Sequence, residues 1–175
     1  MFFKWLQKIV FENYNQAGPG TPAYEEIKKL PLSIARQEAF HQIRNPAQFD
    51  IVAPVPEMLP PDIPSEIYDF FLIGSRIQST HSELLFDDQC LKESHAKPYL
   101  KIGTDIEHTE VWIELTSGEA ICADNEAVDV GIIDGPEWLT DERYPSIWHY
   151  ILIHCAQVYG YRFQPPPETT PKMHS

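Results

Sequence analysis

Tyr99-Leu100-Lys101-Ile102-Gly103, Thr109-Glu110-Val111-Trp112-Ile113-Glu114-Leu115, and Ala120-Ile121-Cys122-Ala123-Asp124 are the runs on which the fold is decided. In the first two, polar and apolar side chains alternate with period two, as in strands whose faces meet different surroundings. Thr116-Ser117-Gly118-Glu119 supplies turn residues between the second and third runs, so the stretch predicts a β-hairpin with a further strand before it. The alternation sends Val111, Ile113 and Leu115 to one face and Glu110, Trp112 and Glu114 to the other.

Downstream, Ser146 can cap a helix through Ile147-Trp148-His149-Tyr150-Ile151-Leu152-Ile153-His154-Cys155, and Gly160 supplies its stop. Ile147, Ile151, Leu152, Cys155 and Val158 form an apolar stripe along it, which asks for a sheet to pack on. Upstream, prolines at 54, 56, 60, 61 and 64 forbid helix or central strand and mark 53–64 as a connector. Ser65 can cap a helix carrying Ile67, Phe70 and Phe71. Gly18-Pro19-Gly20 ends a first segment, Thr21-Pro22 is an N-cap followed by proline at the first helical position, and a further helix is expected over 33–44. In the opening segment Phe2, Trp5, Leu6, Ile9 and Val10 follow helical spacing, so it is expected as a helix docked on the core rather than a signal peptide, a membrane span or a membrane-surface anchor.

The fold class expected is therefore α+β: a small antiparallel sheet with helices packed on one face. An N-terminal helical arm and proline-rich connector occupy 1–58, the α+β region 59–163 and a frayed tail 164–175, all within one structural domain. A chain of 175 residues, 43% hydrophobic with four Trp, has the material for one real core.

Lys and Arg number 13 against 26 Asp and Glu, a net charge of −13 that repels phosphate backbones and anionic membranes and favours a basic protein partner. Cys90, Cys122 and Cys155 form an odd set without C-x-x-C spacing, which fits reduced thiols in a cytoplasm better than a disulfide framework or a zinc ribbon. No G-x-G-x-x-G, Walker, G-x-S-x-G, H-E-x-x-H or EF-hand pattern occurs, and no cofactor or catalytic residue is assigned. His81, Glu83, Asp87, Asp88, Cys90 and His95 are a metal-type donor set in 81–95 whose spacing matches no closed zinc motif; the segment is expected as a solvated loop. His149 and His154, five apart on a helix, do not share the face that an i, i+4 metal pair needs, and apart from these histidines nothing near Cys122 or Cys155 offers the base or positive charge that activates a thiol.

Charge distribution is the more specific signal. Between positions 104 and 142 there are twelve acidic residues and no Lys or Arg. The candidate partner-binding residues are therefore Glu107, Glu110, Trp112, Glu114, Glu119, Asp124, Glu126 and Asp129: an aromatic anchor among carboxylates able to meet Arg or Lys. The competing expectation is that Trp112 is covered and the acids only keep the rim solvated.

Leu59-Pro60-Pro61-Asp62-Ile63 before an aromatic-rich helix, Ile102-Gly103-Thr104-Asp105 ending a strand, Thr116-Ser117-Gly118-Glu119 at a bend, and Ser146-Ile147-Trp148 opening a last helix resemble the SUKH superfamily of bacterial immunity proteins over 59–159. The chain departs from the family pattern at Ile106-Glu107-His108-Thr109, where many relatives carry a glycine-rich turn, and at Trp148, where phenylalanine is usual. The resemblance implies a cytoplasmic protein that binds and neutralises a cognate toxin, such as a nuclease or deaminase. A scaffold of similar fold without a toxin partner, and a metal-dependent hydrolase using 81–95, are the alternatives.

Overall fold

The computed structural model describes residues 2–93, 99–106, 109–124 and 143–167. Among them run helices α1 (Phe2–Ala17), α2 (Pro22–Lys28), α3 (Leu32–Ile43), α4 (Ser65–Phe71), α5 (Cys90–Glu93) and α6 (Ile147–Tyr159). The strands are β1 (Phe49–Val52), β2 (Arg76–Ser79), β3 (Leu85–Asp87), β4 (Tyr99–Thr104), β5 (Thr109–Glu114), β6 (Ala120–Asp124) and β7 (Arg143–Tyr144). They form one antiparallel sheet in chain order, β1-β2-β3-β4-β5-β6-β7. The α+β class expected from the sequence is thus observed.

The expected hairpin forms, with Val111 opposite Cys122 and Trp112 opposite Ile121. Gly118 closes its turn at φ 76°, a left-handed conformation that a side chain would strain, while its N–H reaches Glu114 O at 2.8 Å. Leu115 lies one residue beyond β5 and is exposed, so only Val111 and Ile113 carry the inward face of that strand. β4 has a bulge between Lys101 and Gly103. There Gly103 sits opposite Phe86 of β3, and a Cβ on it would collide with the Leu85 carbonyl oxygen and lie 3.1 Å from Phe86 Cα. Both obstacles are backbone, so Gly103→Ala is expected to destabilise by about 2 kcal/mol through overpacking. Urea unfolding of this variant checks it, and an unchanged midpoint would contradict the close approach.

Helix ends follow local chemistry. Thr21 accepts the Tyr24 N–H at 3.4 Å to open α2, and Ser146 accepts those of Trp148 and His149 at 3.2 and 3.4 Å to open α6. Gly160 ends α6 with φ 73°. Ser65, expected as a cap, is instead the first helical residue of α4. Pro64 takes the cap position, its extended backbone aiming its carbonyl at the N–H groups of Ile67 and Tyr68.

The sharper correction concerns 81–95, expected as a solvated loop. Its Leu84-Leu85-Phe86 run enters β3 and the core, Asp88 is buried with its side chain on Gln89 Nε2 at 3.0 Å, and Cys90 opens α5. Three residues are too few to show strand periodicity among polar neighbours, which hid β3.

α6 is the axis of the molecule, buried from Ile147 to Ala156, with α1, α2 and α3 packed against it. One core runs through arm and sheet, joining Ala17, Ile27 and Ala39 to Ile77, Phe86, Val111 and Ile151. α1 is the incompletely covered member: Leu6, Ile9 and Val10 are half-buried, whereas Trp5, expected on the docked face, is exposed.

Candidate functional site

Opposite the core, β4, β5 and β6 present a second, smaller apolar cluster of Trp112, Ile121 and Ala123 with Tyr99 beside it. Strand alternation produces it: Val111 and Ile113 belong to the main core, and Trp112 between them points the other way. Trp112 is nevertheless only 5% exposed, so it is not an open anchor. Its indole N–H is buried without a hydrogen-bond partner among the described residues.

The sheet brings cations from outside the acidic run into it. Register places Lys101 opposite Trp112, Trp112 opposite Ile121 and Ile121 opposite Arg143, a single row across four strands. From its two ends the cations reach the flanking carboxylates. Lys101 Nζ lies 2.7 Å from Glu110 Oε1, with side chains only 15% and 13% exposed. Arg143 Nη1 donates to Glu119 Oε2 at 2.7 Å and to Glu114 Oε2 at 3.2 Å, and Ser117 Oγ donates to Glu114 at 2.6 Å. Burial pulls the Arg143 guanidinium down, but its hydrogen bonds and the charges of Glu114 and Glu119 outweigh this and raise its pKa above the usual value. Glu110, Glu114 and Glu119 are therefore internal ion-pair partners, not free charges. Asp124 closes β6 opposite Thr109, while Glu107, Glu126 and Asp129 lie outside the described residues.

Among the described residues Trp112 stands in a small cluster and its N–H lacks a partner, which costs part of what its ring contributes. Trp112→Ala is expected to lose about 2 kcal/mol of stability, less than a core Trp, whereas Trp112→Phe should be close to neutral because it removes the unpartnered donor. Denaturation of both variants decides: a larger loss for the phenylalanine variant would mean that the indole nitrogen is bonded in solution.

A second polar cluster, on the core side, has no counterpart in the sequence reading. His154 Nε2 is 3.1 Å from Ser82 Oγ and 3.2 Å from Ser79 Oγ, and Ser79 Oγ is 2.7 Å from the Tyr159 hydroxyl. Tyr159 in turn donates to Gln48 O at 2.7 Å and receives the N–H groups of Thr80 and His81 at 3.0 and 3.1 Å. Burial lowers His154 from 6.5 to about 4, with the Asp105 charge pulling the other way. These bonds pin α6 to the β2–β3 turn, and burial favours the neutral imidazole within them. His149 is buried likewise: Nε2–H donates to Leu30 O at 2.8 Å, which leaves Nδ1 to accept from Ser146 Oγ at 2.7 Å. Only their separation along the helix was legible in advance. The residues that enclose them come from β2, the turn after it and the end of α2.

Cys122 and Cys155 are buried, and burial pushes the Cys155 thiol far up, away from thiolate chemistry. Among the described residues no group of three or more His, Cys, Asp or Glu is placed to hold a metal, and no helix is long and apolar enough to cross a membrane. His95 of the donor set lies outside the described residues. No family model, curated protein or solved structure matches the chain.

Proposed function

We propose that the chain is a binding protein that captures a basic protein partner, and that the partner is a bacterial toxin neutralised in the cytoplasm. The observation that carries this is a charge excess that internal pairing cannot remove. With 26 carboxylate residues against 13 Lys and Arg, pairing every cation once would still leave half of the acids without one. The sheet brings Lys101 and Arg143, from either side of the acidic run, onto its face as counterions, so the excess attracts partners at long range while that face keeps its shape. A nuclease, whose cleft must attract phosphate, is a partner of suitable sign. The resemblance of 59–159 to immunity proteins supports the toxin as that partner.

The test is co-expression with the product of the adjacent gene, which this reading expects to encode a toxin, followed by purification of the complex and stopped-flow association at low and physiological salt. Growth should be rescued, and the association rate should fall about tenfold or more with salt while dissociation changes less. Failure of rescue with no complex would remove the toxin reading. A complex whose association rate is flat in salt would leave the excess charge with a solvating role only. Charge reversal at Glu110 is a poor probe of docking, because it would set a half-buried cation against Lys101 and disturb the sheet.

A further inference from the structure

Just past the end of β4, half-buried Asp105 borders a cavity of about 170 Å³ that lies among the last turn of α1, the strands β5, β6 and β7, and the middle of α6. Among the described residues its carboxylate pairs with no Lys or Arg, and none lines the cavity. Oδ1 accepts the Ile106 N–H at 2.8 Å and Oδ2 the Tyr150 hydroxyl, so each oxygen keeps a lone pair for a further donor. The other polar walls are acceptors too. Tyr159 gives its one proton to Gln48 O, so Ser79 donates to Tyr159 and receives the Nε2–H of His154. His154, only 6% exposed, thereby keeps a bare Nδ1 lone pair that no described residue meets. Gln157 gives its Nε2–H to Ala17 O at 3.3 Å and keeps Oε1.

We propose that this cavity binds a primary ammonium group carried on a short alkyl chain. An ammonium has three N–H donors and no acceptor, the complement of walls that offer a carboxylate, an imidazole lone pair and an amide oxygen. Its charge supplies the counterion that Asp105 lacks, and the rings of Tyr14, Tyr144 and Tyr150 present faces that attract a cation. The volume is near the roughly 150 Å³ that holds a benzene in an apolar cavity, enough for a chain of about four carbons beside Ile153. Tyr14 and Ile106 on the rim are 50% and 63% exposed, so a chain can enter from solvent. An anion is excluded by Asp105 with no cation beside it. Asp105, Cys122 and His154 share the cavity, yet among the described residues they form no group placed to hold a metal. The site stands independently of the toxin reading. A free amine and a lysine side chain of a partner offer the same group, and the experiment separates them.

Amide chemical shifts of the full chain, titrated with n-butylammonium chloride at constant ionic strength, test the site. Saturable shifts are expected at Ile106, Thr109 and Ile153, and none there with n-butanol or sodium chloride in place of the amine. Asp105→Asn keeps an acceptor for Tyr150 and should raise the dissociation constant about tenfold, the worth of one charge-assisted hydrogen bond. Tyr14→Ala, on the exposed rim, should raise it about threefold without disturbing the core, and it decides the matter if the Asp105 variant does not fold. Nα-acetyl-lysine N-methylamide, titrated alongside, identifies the source: binding equal to that of butylammonium assigns the site to a lysine side chain, and binding of butylammonium alone assigns it to a free amine. No saturation with either amine, equal shifts with butanol or sodium, or a dissociation constant unchanged in the folded variants would overturn the proposal.

Discussion

Trp148→Ala is expected to cost about 3 to 5 kcal/mol of folding stability, among the largest effects of any single change in this chain. The indole is fully buried at the start of α6. It packs edge-on against Phe70 at 5.6 Å, and Phe70 in turn packs edge-on against Phe71 at 5.1 Å and Phe86 at 5.0 Å. The Arg36 guanidinium lies 5.7 Å from its ring, and its N–H donates to Glu66 Oε1 at 2.9 Å. Truncation opens a cavity among α3, α4, β3 and α6 and leaves a carboxylate without its donor. Trp148→Phe keeps most of the packing and loses only the hydrogen bond, so a loss of about 1 to 2 kcal/mol is expected. Urea unfolding of both separates ring from nitrogen. A loss below that of the phenylalanine variant for Trp148→Ala would show that the aromatic cluster repacks freely.

Acid should weaken the fold through His154 before most carboxylates titrate. Its folded pKa of about 4 lies below the 6.5 of an unfolded histidine, so the unfolded chain takes up the proton first as pH falls. The contribution is fully present above pH 6.5, declines as pH drops through the interval and levels off below about 4, where both states are protonated. A displacement of this size is worth about 3 kcal/mol. His149, lowered by burial and partly held up by its bond to Leu30 O, adds a loss of the same sign. Because carboxylates begin to titrate at the acid end of the interval, the decisive quantity is the difference between wild type and His154→Gln, measured by denaturation at successive pH values from 7 to 4. That difference should narrow as pH falls. Parallel curves would mean that His154 is protonated in the folded chain.

Most local signals in the sequence determined the structure by themselves, the Ser65 cap displaced to Pro64 being an exception. Alternation from Thr109 to Glu114, the glycine turn at Gly118, the Thr21 and Ser146 caps and the Gly160 stop each rest on residues within a few positions of one another, and each is present as expected. The inward and outward faces of β5 followed from the same alternation, because a strand has only two sides. Tertiary structure decided the rest. β1, β2, β3 and β7 are strands of four, four, three and two residues, too short to show a period and held in place by neighbours that arrive through pairing. An acidic run without cations was legible along the chain. Its neutralisation at Glu110, Glu114 and Glu119 was not, because Lys101 precedes the run and Arg143 follows it, and only sheet register sets both on the row of Trp112. His154 likewise carries no mark of its state in its own segment: its low pKa comes from enclosure by Ser79, Ser82 and the core, and burial is a property of the packed molecule rather than of neighbouring residues.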